Sequence, residues 1–193
     1  MNAIIAEKYI VEKLGSELSE TLFYHGLHHV KDVTEIALIL ADQEGVVDQE
    51  SLSLLKTAAL YHDCGFLNTY ANHEEEGCKI VKAVLPEFDF SATQIEAICG
   101  MIMATKIPQN PQTLLEKILC DADLDYLGRE DFEPIANTLF EELKARNMVS
   151  DLTAWNAIQI KFIGSHQYWT DSAKKNRELK KQDHLFDIVK SSQ

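Results

Sequence analysis

Positive charge is scarce in this chain. Eighteen lysines and arginines stand against 31 acidic residues over 193 residues, a formal net charge of −13. That balance disfavours a long nucleic-acid backbone as the expected partner, because counterion release requires a basic face. A small phosphorylated molecule stays open, since it needs only a local cation or a metal. Paired cysteines are missing as well. Cys64, Cys78, Cys99 and Cys120 form no Cys-x-x-Cys and fall in helical patterns, the signature of reduced core thiols in a cytoplasmic protein. No apolar run approaches a membrane span. Glu7, Lys8, Glu12 and Lys13 interrupt the first apolar residues, which describes an amphipathic helix and not a signal peptide. Repeats, low-complexity tracts, linkers and period-two alternation are all absent.

What is present is an ordinary globular composition, 46% hydrophobic and 25% charged. A chain of this size buries roughly 70% of its unfolded surface without a staple. Helical periodicity dominates. Ile4, Ile5, Tyr9, Val11 and Leu14 line a first helix, which Gly15 ends or bends. Val30, Val33, Ile36, Ala37 and Leu40 mark a second, stopping near Gly45, and Leu52 to Leu60 a third that carries His62 and Asp63 at its end. Gly65 is placed to close that helix in a left-handed conformation. A fourth runs from His73 to Leu85, stopped by Pro86, and Ser91 with Gln94 caps a fifth through Met103. Pro108 and Pro111 make a loop. Helices then follow over Leu114–Leu127, Glu130–Arg146, Leu152–His166 and Asp171–Val189. The expectation is an all-α, single-domain bundle over residues 1–193 with short connections.

Histidines and aspartates concentrate at three places: Tyr24-His25-Gly26-Leu27-His28-His29, the pair His62-Asp63, and Asp121-Ala122-Asp123. On a helix His25 and His29 share one face, whereas His28 and His29 cannot both reach one centre. Near a helix end His62 and Asp63 can both reach an ion lying over the terminus. The alternating aspartates sit among Ile118, Leu119, Leu124 and Leu127, so a solvated face does not explain them. Buried carboxylates need a partner, and a cation supplies one. Imidazole and carboxylate together suit a divalent metal: manganese, iron, nickel, cobalt, zinc or magnesium.

Tyr24-His25-x-x-x-His29, Leu60-Tyr61-His62-Asp63-x-Gly65-Phe66 and Asp121-Ala122-Asp123-Leu124 together resemble the HD superfamily of metal-dependent phosphohydrolases. The resemblance spans roughly residues 20 to 130, which makes that stretch the expected metal-binding core of an HD-type bundle, with helices over about 130–190 packed on it. It implies His29, His62 and Asp63 as ligands, Asp123 in preference to Asp121 as the fourth, and His25 as the acid. It implies metal-dependent hydrolysis of a phosphate ester or anhydride on a small nucleotide-like substrate, with Asp63 accepting the proton of the attacking water. The alternative is a nucleotide-sensing module that binds without turnover.

Further candidates flank this set. His73 and Glu74 could face the site across the Gly65 loop and orient the water; they are not a His-Glu-x-x-His motif, because position 77 is Gly. No histidine lies between His73 and His166, which points to one firmly held metal, with at most a second weak one. Thr105 and Lys106, before the proline loop, and Arg177 and Lys181, four apart in a basic stretch, are candidate phosphate contacts. Trp155, Phe162, Tyr168 and Trp169 are expected to pack the C-terminal helices onto the core. Exposed apolar faces on the added helices would permit a homodimer.

Overall fold

The computed structural model describes residues 1–192, and among them no strand occurs. Nine α-helices follow one another: α1 (Ala3–Glu17), α2 (Leu27–Gln43), α3 (Gln49–Tyr61), α4 (His73–Val84), α5 (Ala92–Thr105), α6 (Leu114–Asp123), α7 (Phe132–Ala145), α8 (Leu152–Ser165) and α9 (Asp171–Ser191). Short 3-10 turns at Cys64–Leu67, Leu85–Phe88 and Asp125–Gly128 interrupt the order. The all-α class is as the periodicity predicts.

Local chemistry explains where the helices begin. Asn2, Asp48, Ser91, Thr113, Asp151 and Thr170 each accept a hydrogen bond from a first-turn N–H, satisfying donors that have no partner within the helix. Ser91 and Gln94 form the reciprocal capping box expected, and Thr113 with Glu116 forms a second.

Several boundaries differ from the sequence reading. Gly15 lies inside α1 and does not end it. The segment Leu114–Leu127 is two elements, because Leu124 leaves helical geometry at φ −111°, ψ 16°. α4 stops at Val84, one residue early, and Pro86 sits inside the following 3-10 turn, where its missing N–H costs nothing. His25 precedes α2, whose N-cap is the extended Gly26, so His25 and His29 do not share a helical face. Gly65 is not left-handed: it sits in the first 3-10 turn, among residues whose backbone is ordinary. Its lack of a side chain serves close approach instead, since a Cβ there would lie 1.9 Å from the His73 carbonyl oxygen.

Two cores meet at the candidate site. The larger is built from α1 to α6, including Ile10, Leu14, Leu55, Ile98, Ile102 and Leu119, and also takes in Tyr168 and Ala173 from the far end of the chain. The smaller gathers Phe132, Phe140, Trp155 and Ile163 from α7 and α8 around Tyr126 and Leu127, and reaches back to Tyr24. Trp155 in the smaller core and Tyr168 in the larger are buried as packing residues, in keeping with the sequence reading.

The two glycines Gly65 and Gly164 are expected to respond with opposite sign to alanine. Gly65→Ala must displace the start of α4 and costs about 1–3 kcal/mol or more in urea unfolding. Gly164→Ala, in α8, would meet only Leu185 Cδ2 at 3.9 Å, and gains roughly 0.5 kcal/mol from helix propensity.

Candidate metal centre

Three helix ends bring the imidazoles and carboxylates together. His29 stands in the first turn of α2, His62 caps the C-terminus of α3, Asp63 follows it, and Asp123 is the last residue of α6. Two of the three ends are C-termini, whose partial negative charge favours a cation. His29 Nε2 lies 3.1 Å from Asp123 Oδ1 and 3.5 Å from Asp63 Oδ2. His62 Nε2 lies 3.4 Å from His29 Nε2, 3.3 Å from Asp63 Oδ2 and 3.5 Å from Asp123 Oδ1. Ligand atoms of His29, His62 and Asp123 all fall within 4.8 Å of one another.

The protonation pattern shows why a cation fits. His62 Nδ1 lies 2.7 Å from the Ala59 carbonyl, so Nδ1 carries a hydrogen and donates it. In the neutral ring Nε2 is then a bare lone pair, facing two carboxylate oxygens and a second imidazole nitrogen. Asp63 Oδ2 is buried and has no hydrogen-bond partner. Lone pairs converging without donors need either extra protons or a metal ion. Burial opposes charge on His62, yet Asp63 and Asp123 hold its imidazole well above its usual range. Burial likewise opposes charge on Asp63 and Asp123, yet the facing histidines hold both carboxyls below theirs. The group is charged and largely buried, and its nitrogen and oxygen donors suit a divalent transition metal.

The two aspartates of the third cluster part company. Asp123 faces the histidines. Asp121 is fully buried and accepts from the N–H groups of Trp169 and Thr170 and from the Thr170 hydroxyl, at 2.7–2.8 Å. Burial, only partly offset by those bonds, pushes its carboxyl up to about 6.

Around the centre lies an imidazole and aromatic wall. His73 Nε2 is 3.3 Å from Asp63 Oδ1, and its ring stacks on Phe66 at 4.0 Å. The other face of this cluster is His25, 4.4 Å from Phe66 and 6.1 Å from His73. Glu74 is buried beside His73, its Oε2 3.6 Å from His73 Nδ1. His28 is exposed.

The four candidate phosphate contacts are spread out. Thr105 is buried and its hydroxyl is given to the Ile102 carbonyl. Lys106 reaches Asn72, just before His73, and pairs with Glu75. Arg177 donates to the buried Asp125 carboxylate at 2.8 Å. Lys181 is 1% exposed, with its ammonium on the His166 carbonyl at 2.8 Å and on Glu178 at 3.0 Å. The structure therefore commits Arg177 to Asp125 and Lys181 to His166 and Glu178. Burial first, then the Lys181 ammonium, lower the His166 imidazole to about 4.

Sequence reasoning passed over Glu142. It is fully buried, it meets His25 Nδ1 at 2.5 Å, and it accepts from Tyr70. A signal was available, because Glu142 continues the inward stripe Ile135–Leu139 of α7 at helical spacing.

The HD domain family model matches residues 26–125. Among solved structures, Bacillus subtilis YpgQ in complex with ADP is similar at 18% identity and TM-score 0.67, over 98% of this chain and 95% of that one. The Lin1889 protein from Listeria innocua is similar at 19% identity and TM-score 0.66, over 98% and 96%. A predicted HD superfamily hydrolase from an uncultured Thermotogales bacterium shares 21% identity at TM-score 0.57, over 95% and 87%. No curated protein matches the sequence.

If the converged lone pairs hold a cation, divalent metal will stabilise the fold. Manganese(II), nickel(II) or zinc(II) at about a hundredfold excess over its dissociation constant adds about 2.7 kcal/mol. For a chain of this size that raises the thermal midpoint by roughly 5–10 °C. His62→Ala is expected to lose the shift, and wild-type melting insensitive to every metal and to chelator would refute the cation.

Proposed function

The chain belongs to the HD domain family, and from that premise we propose that it hydrolyses a phosphate ester or anhydride on a small nucleotide-like substrate. The observation that carries the proposal is the close grouping of His29, His62 and Asp123 ligand atoms, with the unpartnered Asp63 Oδ2 beside both imidazoles. These four would hold the ion. Bound there, a divalent ion supplies Lewis-acid polarisation of a phosphoryl oxygen and lowers the pKa of a coordinated water.

The remaining roles fall to the chain's own side chains. Asp63 has one oxygen among the ligands and the other against His73, so it can take a proton from the attacking water while His73 keeps it oriented. His25, across Phe66 from His73, is placed to protonate the leaving oxygen. Glu74, buried beside His73, holds that imidazole from behind. Burial of the cluster excludes bulk water and strengthens each of these interactions. ADP in the Bacillus subtilis structure supports a nucleotide-like ligand. Among the described residues no helix is long and apolar enough to cross a membrane. The four free buried cysteines suit a reducing, cytoplasmic setting.

The expected result is metal-dependent release of phosphate or pyrophosphate from at least one member of a panel of phosphomonoesters, cyclic nucleotides and nucleoside triphosphates. His62→Ala and Asp63→Ala should fall to background. Turnover undiminished in those variants would overturn the proposal. Tight nucleotide binding without product across several metals would make the chain a sensing module instead.

A further inference from the structure

We infer that Glu142 is the positioning residue of His25, fixing which ring nitrogen the imidazole presents to the substrate. This inference rests on the proposed role of His25 as the acid. The two residues lie 117 positions apart, and both fall outside the matched span 26–125.

The carboxylate is saturated with donors. Its Oε2 accepts the backbone N–H of Tyr24 at 2.8 Å and of His25 at 3.1 Å. Its Oε1 accepts the Tyr70 hydroxyl at 2.9 Å and meets His25 Nδ1 at 2.5 Å. Burial opposes the charge, but the bonds from His25 and the backbone hold the carboxyl down to about 2. An ionised carboxylate only accepts, so the hydrogen in the short contact belongs to Nδ1. Nε2 is then the ring atom left to give up or take a proton. A carboxylate serving only to cap the loop would engage the two backbone N–H groups and ignore the ring.

The support is itself anchored. Arg146, the C-cap of α7, donates to the Thr21 carbonyl at 2.7 Å and lies over the Tyr70 ring at 4.4 Å. Tyr70 is thus held between the guanidinium and the carboxylate. The smaller core, through α7, sets the orientation of a side chain that works at the edge of the larger one. The logic is that of a buried acid holding an imidazole in one tautomer, where an isosteric amide supplies the wrong one.

Two readouts test it. In metal-loaded wild type, long-range proton–nitrogen correlation spectra should show His25 protonated at Nδ1 at neutral pH. Glu142→Gln, whose amide can donate to Nδ1, should move that hydrogen to Nε2. It should lower kcat on a nitrophenyl phosphate or a responsive nucleotide by about a hundredfold, with KM and the metal-induced thermal shift retained. Added to His25→Ala, the same change should cost less than about twofold, because the effect runs through the ring. An unchanged tautomer in Glu142→Gln, or an equal kcat loss in the His25→Ala background, overturns the inference. If Glu142→Gln does not fold, the wild-type tautomer decides alone: a ring bare at Nδ1 refutes it. Wild-type turnover in His25→Ala would overturn the acid role of His25 while leaving the tautomer result to stand or fall separately.

Discussion

The single hydrogen bond from His62 Nδ1 to the Ala59 carbonyl governs the site. It spends the proton of the neutral ring on the helix that carries it, so the opposite nitrogen arrives as a lone pair. Asp63 Oδ2 and Asp123 Oδ1 then face that lone pair, with His29 Nε2 3.4 Å away. A folded chain holds such a group only with a positive charge at its centre. Everything that delivers these four side chains to one place therefore works against electrostatic cost, and the fold has to supply the difference through packing.

That packing is arranged around helix ends. α3 stops at Tyr61, α6 stops at Asp123, and the break at Leu124 that shortens α6 also turns the chain into the 3-10 turn carrying Asp125 and Tyr126. Alternation within Asp121-Ala122-Asp123 lets one short segment serve two purposes. Asp123 joins the histidines, while Asp121 fastens the start of α9 through Trp169 and Thr170. The C-terminal helices are thus tied by a buried carboxylate two residues from a proposed ligand. Gly65 plays the corresponding part on the other side, letting the backbone after Asp63 touch the carbonyl of His73.

Much of this was legible in the sequence, and the limits have physical causes. Apolar spacing gave the helices, because each buries a stripe of its own residues. The Ser91 cap and the capping Gln94 were readable for the same local reason. The end of α6 was not, since Leu124 is as apolar as its neighbours and only tertiary packing breaks the helix there. Gly65 was assigned a left-handed turn because glycine after a helix commonly means that; the true reason, a contact with a residue eight positions on, is invisible to local rules. His25 was placed on a helical face by its spacing from His29, whereas Gly26 begins the helix after it. The residues of the three motifs come together because each motif sits at a helix end, where side chains of neighbouring residues can converge. Glu142 escaped notice because its partner is 117 residues away and no motif spans that distance.

The arrangement of cations says how a phosphate would be met. Arg177 neutralises Asp125, which is almost fully buried, and Lys181 is itself buried on a carbonyl. Withdrawing either would leave a charge or carbonyl stranded, at a cost of several kcal/mol for a buried pair. Lys106 is different. Its pairing with Glu75 is exposed, with side chains 35% and 43% accessible, and exposed pairs contribute only about 0.2–1 kcal/mol. It can exchange Glu75 for a phosphate oxygen at little cost, and its contact with Asn72 puts it beside the helix that begins at His73. In a chain carrying 31 acids and 18 bases, Lys106 is thus the one of the four candidate cations and hydroxyls whose pairing is cheap to exchange. With so few free cations, a small phosphate bound as proposed would draw on the proposed ion for most of its neutralisation.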